Sequence, residues 1–113
     1  MPNLVKEFDV QLNAGEEWHS KAIRLRAGDV VTLTCTSSQR FYAGLFSRKE
    51  YAKRKGAVGG AFDFLPGSDR RAFTARVQID SEDDYYIVLR VGIFSSRQSI
   101  HLRYVRERPS TGG

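Results

Sequence analysis

Alternation of apolar and polar residues with a period of two constrains this chain more than any other feature. It recurs in VVTLTCTS (30–37), AFTARVQI (72–79), YYIVLRV (85–91) and SIHLRYV (99–105). Successive strand side chains point to opposite faces, so each of these segments can bury one face and leave the other in water. No amphipathic helix of about three turns can be placed. The chain is therefore expected to be all-β.

Other segments fill in the pattern. Residues 4–12 read as a first strand with Phe8, Val10 and Leu12 on one face, and 18–26 as a less regular second strand with Ile23 and Leu25 inward. RAGD (26–29) reads as a tight turn in which Gly28 can take positive φ. The polar SSQR (37–40) reads as a link, and FYAGLF (41–46) as a short strand covered on both faces. Ser47 and Glu50 fit a capping box that opens two helical turns over 48–55. A glycine-rich connection (56–60) and the Phe62–Asp63–Phe64 run ending at Pro66 and Gly67 follow. The acidic run 81–84 reads as a turn, and 85–91 as a strand through the middle of a sheet. These elements predict a single domain over 1–106, an antiparallel β-sandwich or jelly roll of seven or eight strands with one short helix, and a flexible tail over 107–113. At 113 residues and 41% hydrophobic content the chain can bury a core without disulfides or metals.

The segments LRAGDVVTLTC (25–35), FYAGLFSRKEY (41–51) and DDYYIVLRVGIFSSRQSIHLRYV (83–105) together resemble GOLD-like (emp24-like) and pre-peptidase C-terminal β-sandwiches. The resemblance implies a non-catalytic protein-interaction module. The turn after the Tyr-rich strand reads VGIFSS and lacks the asparagine that GOLD-like members commonly carry.

Motifs for catalysis are sparse, and the chain is not expected to be an enzyme. His19 and His101 each stand alone in the local sequence, with no metal-binding spacing, so no cofactor or metal is expected. Cys35 shares the apolar register of Val31 and Leu33, which predicts a buried structural thiol in preference to a nucleophile paired with a histidine. Glu82, Asp83 and Asp84, with Asp80 nearby, could in principle offer oxygen ligands to calcium, but a solvated turn is the simpler reading. No pattern points to a small-molecule substrate.

Charge is the sharpest functional signal. The chain carries 18 basic and 13 acidic residues, a formal net charge of +5. Between Arg40 and Lys55 stand six basic residues and only Glu50 as an acid, so this one segment carries the whole excess. Arg48, Lys49, Tyr51, Lys53, Arg54 and Lys55 are thus the expected contact residues, for a protein partner first. A polyanion, either nucleic acid or an anionic membrane surface, is the alternative, because phosphates pair with the same cations and Tyr42 or Tyr51 could stack bases. Gly112 and Gly113 also allow a ubiquitin-like conjugation role, against which stands the missing β-grasp helix. The N-terminus has no apolar targeting run, so a cytoplasmic location is expected.

Overall fold

The structure, a computed structural model, describes residues 4–55, 70–94 and 96–108, without the side chains of Arg54 and Lys55. In chain order the described elements are β1 (Leu4–Leu12), β2 (Glu17–His19), β3 (Ile23–Leu25), β4 (Val30–Ser47), α1 (Arg48–Lys55), β5 (Arg70–Gln78), β6 (Asp83–Arg90) and β7 (Gln98–Glu107). Every strand pairing is antiparallel, in the order β1-β7-β4-β6-β2, with β5 also beside β4 and β3 also beside β6. The all-β class, the strand number and the single short helix match the expectation. The strands form one curled, nearly barrel-shaped sheet.

The long strand β4 makes the curl possible. Its first half pairs with β7 and β5, from Val30 to Ser37 and from Val30 to Thr36, whereas its second half, Tyr42 to Ser47, pairs with β6. The polar SSQR stretch is therefore a bend within one strand, where the register with β5 shifts between Thr36 and Phe41, and not a link between two strands. A bend takes backbone polar groups off the ladder, and buried ones need other partners. Gln98, buried at the start of β7, supplies them: its Nε2 donates to the Arg40 carbonyl at 3.0 Å, while its Oε1 accepts from the Ser37 hydroxyl. Gln98→Leu is expected to cost about 1–3 kcal/mol in urea unfolding, because it strands the Arg40 carbonyl and the Ser37 hydroxyl.

The strand expected over 18–26 is broken into β2 and β3. Ser20 bridges the gap, its N–H donating to the Ile87 carbonyl and its hydroxyl accepting from the Ile87 N–H, each at 2.9 Å. Gly15 (φ 78°) and Gly28 (φ 92°) take the left-handed conformation in the Asn13–Glu16 and Arg26–Asp29 turns, Gly28 as the RAGD reading predicts. Inside the curl, Val31, Leu33 and Cys35 of β4 pack with Ile87 and Leu89 of β6 and with Ile100, Leu102 and Tyr104 of β7, all fully buried.

Beside this core Asp29 is also fully buried. It accepts from Arg108 Nε and Nη2, both at 2.9 Å, and from the Arg26 N–H at 2.8 Å. Strand β7 thus runs on to Glu107, and Arg108 is tied to the core, so residues 107 and 108 belong to the folded body and not to a tail. The glycine-rich 56–60 connection, the Phe62 and Phe64 run and the terminal di-glycine lie outside the described residues.

Candidate functional site

The sheet over β2, β6 and the second half of β4 has an outer face that begins the site. Alternation from the core residues Ile87 and Leu89 puts Tyr86, Val88 and Arg90 on this face, and the pairing sets Tyr42 and Glu17 beside Arg90. The helix α1 lies over part of it. The expected capping box forms, with the Ser47 hydroxyl and Glu50 Oε1 2.9 Å apart. Tyr51 then turns onto the sheet, stacked on Tyr86 with ring centroids 4.0 Å apart, and its hydroxyl meets His19 Nδ1 at 2.7 Å. The other ring nitrogen of His19 meets Glu17 Oε1 at 3.0 Å. Tyr51 fastens the helix down by these contacts, and its ring face is occupied by Tyr86. Arg48, Lys49 and Lys53 project into solvent. The side chains of Arg54 and Lys55 are outside the described set.

Beyond the helix the same face leads to the end of the molecule, where the β4 bend, the β1–β2 turn and the β6–β7 loop meet. There Ile93 is 70% and Phe94 97% exposed, the two most exposed large apolar side chains among the described residues. The loop that carries them is pinned on both flanks. Glu16 and Gly92 hold its start through Val91 N–H to Glu16 O at 3.1 Å and Gly15 N–H to Gly92 O at 3.3 Å. Its end is held by the Ser96 N–H donating to Gln39 Oε1 at 3.0 Å and by Arg97 donating to Gln11 Oε1 at 2.5 Å. Two large apolar side chains thus stand in water on a loop whose flanks are hydrogen-bonded to the β1–β2 turn and the β4 bend.

Arginines far apart in the chain lie on the segments that meet at the bend and this loop. Arg40 sits in the bend, Arg97 at the loop's end, and Arg70 pairs with Phe41 across the bend, with Arg71 next to it. All four are exposed, and none has a carboxylate partner among the described residues. β5 starts at Arg70 and carries both Arg70 and Arg71. Sequence reading passed over Ile93 and Phe94. The available signal was a pair of large apolar residues in a turn between glycine and serine, where turns ordinarily carry polar residues.

The other sequence-flagged groups are accounted for structurally. Cys35 is fully buried, and burial pushes its thiol up to about 12. Across the β4–β7 ladder Cys35 faces Leu102, while His101 sits one position along on the outer face. Native protein is therefore expected to resist thiol labelling at mildly alkaline pH and to label fully once unfolded in urea; rapid native labelling would place Cys35 outside the core. His101 lies between Asp9 Oδ1 at 2.8 Å and Glu7 Oε1 at 3.3 Å, and the bond to Asp9 raises its pKa. In the acidic run Glu82 and Asp84 pair with Arg24 at 2.9 and 3.5 Å, and Asp83 accepts from the Asp84 N–H. No group of three His, Cys, Asp or Glu with metal-site geometry occurs among the described residues.

No protein-family model and no curated protein matches the chain. Among solved structures it is similar to PliG of Aeromonas hydrophila, a periplasmic inhibitor of g-type lysozyme, with 14% identity and a TM-score of 0.62 over 91% of this chain and 86% of that one. A protein of the disulfide-linked pili that form Bacillus endospore appendages aligns over 96% of this chain and 89% of its own, with 10% identity and a TM-score of 0.44. The cytoplasmic location expected from the N-terminus is overturned by the first of these, since the protein that shares the fold is periplasmic and points away from the cytoplasm. What this chain shares with PliG is a small all-β fold, and PliG is an enzyme inhibitor and not an enzyme.

Proposed function

We propose that this domain is a non-catalytic protein-binding module that presents the Ile93–Phe94 tip, flanked by Arg40, Arg70, Arg71 and Arg97, to an acidic protein surface. The observation that carries the reading is Phe94, 97% exposed on a loop hydrogen-bonded at both flanks. An aromatic that already stands out in water gains from burial on binding, which is how interface anchors work. The arginines add steering and a polar rim. The exposed Arg48, Lys49 and Lys53 of α1 add to the positive charge of this face, with Tyr51 as the residue that seats the helix. The GOLD-like resemblance implies the same class of role.

Charge and shape are separable by experiment. A variant with Arg40, Lys49 and Lys53 changed to Glu, used to capture proteins from an envelope extract, is expected to lose partners that the wild type retains. Unchanged capture would remove the basic surface from the account. Steep, salt-dependent binding of nucleic acid or anionic vesicles, lost in the same variant, would favour the polyanion alternative.

The shared fold favours a second, narrower reading, that the partner is a lysozyme-type enzyme and the domain its inhibitor. Clearing of a cell-wall suspension by g-type lysozyme would then slow as the domain is added, and undiminished clearing at excess domain would reject this version alone.

A further inference from the structure

The seam between β1 and the broken β2–β3 strand holds a half-open cavity of about 440 Å³, which shares His19 with the face under α1 but lies outside the tip. The two walls leave the Asn13–Glu16 turn together but pair away from each other, β1 with β7 and β2 and β3 with β6. Phe8 and Trp18 meet across the seam with ring centroids 5.3 Å apart, and Ile23 lines the cavity with them; all three are partly buried against the core. Lys6 and Lys21 also line it, both exposed and without a carboxylate partner among the described residues. Among the described residues no acidic one is part of the lining.

We propose that this cavity binds a small amphipathic carboxylate, its apolar chain against Phe8, Trp18 and Ile23 and its carboxylate paired with Lys6 and Lys21. The volume falls within the range of small-molecule sites, which combine apolar walls with a few placed polar groups. Two unpaired cations over apolar walls select an amphiphile of negative charge over a neutral or cationic one. The open strand edges would otherwise invite an extended peptide, but Lys6 faces the cavity from an edge strand, a device that discourages strand addition. The opposite edge is only two three-residue pieces, broken where Ser20 turns to Ile87. This site stands apart from the protein-binding tip and does not depend on it.

Trp18 is the only tryptophan of the chain, so its fluorescence reports occupancy of this cavity directly. Sodium decanoate, titrated below its micellar concentration, is expected to shift Trp18 emission saturably, with decanol and decyltrimethylammonium about tenfold weaker or worse. A Lys6→Glu, Lys21→Glu variant, whose fold is checked by far-UV circular dichroism, is expected to lose decanoate affinity by about tenfold or more. A flat titration, equal responses to the three amphiphiles, or undiminished decanoate binding by the folded variant would each overturn the proposal.

Discussion

Arg108→Ala is expected to destabilise the domain by about 3–5 kcal/mol, as much as a large cavity in the core, although Arg108 lies in a segment whose sequence reads as a tail. The loss comes from Asp29, which is fully buried and would be left with the Arg26 N–H and the more distant Arg106 charge to support its carboxylate. Cutting the chain after Glu107 should reproduce the effect, and cutting it after Arg108 should not. Changing Asp29 and Arg108 together to leucine should cost less than either single change, because no unpaired charge remains buried. The hydrogen bond from Arg108 holds the Asp29 carboxyl below its usual pKa. A depressed carboxylate pKa contributes stability that is complete above the unfolded value, about 3.9, and is lost as pH falls through the folded value. Urea unfolding of wild type and Arg108→Ala should therefore differ fully near neutral pH and converge in acid. A constant difference down to strongly acidic pH would contradict the assignment.

Phe94→Asp carries the second large effect, in the opposite sense. With Phe94 97% exposed, the substitution should change unfolding free energy by no more than about 0.5 kcal/mol. Partner binding should fall by about 30-fold or more, the loss expected on removing an anchor worth roughly 2 kcal/mol. A protein that remains fully stable and yet loses its partner separates an interaction role for the tip from a structural one. Ile93→Asp should act in the same direction and more weakly, since Ile93 is less exposed, at 70%, and its side chain lies over Gly15, where an added Cβ would meet it.

Local patterning made much of the fold legible. One-sided burial writes a period of two into 30–37 and 85–91, and the Ser47 and Glu50 pair marks the start of α1, because each depends on neighbours a few residues away. What escaped the sequence depends on partners distant in the chain. The SSQR bend remains strand because Gln98, 58 residues from Arg40, takes up its carbonyl. Arg108 looks like tail until Asp29, 79 residues earlier, is placed beside it. Of the expected contact residues, Tyr51 finds Tyr86 and His19 on another strand pair and becomes a fastener. The placement of the arginines is equally non-local, since it depends on the pairing of β4 with β5 and β7 around the bend.

The most direct test of the central claim compares wild type with a doubly substituted Ile93→Asp, Phe94→Asp variant, each immobilised and exposed to the same envelope extract, with bound proteins quantified by mass spectrometry. The account predicts at least one protein strongly enriched on the wild type and absent from the equally stable variant. Identical sets of bound proteins on both, or none on either, would contradict it.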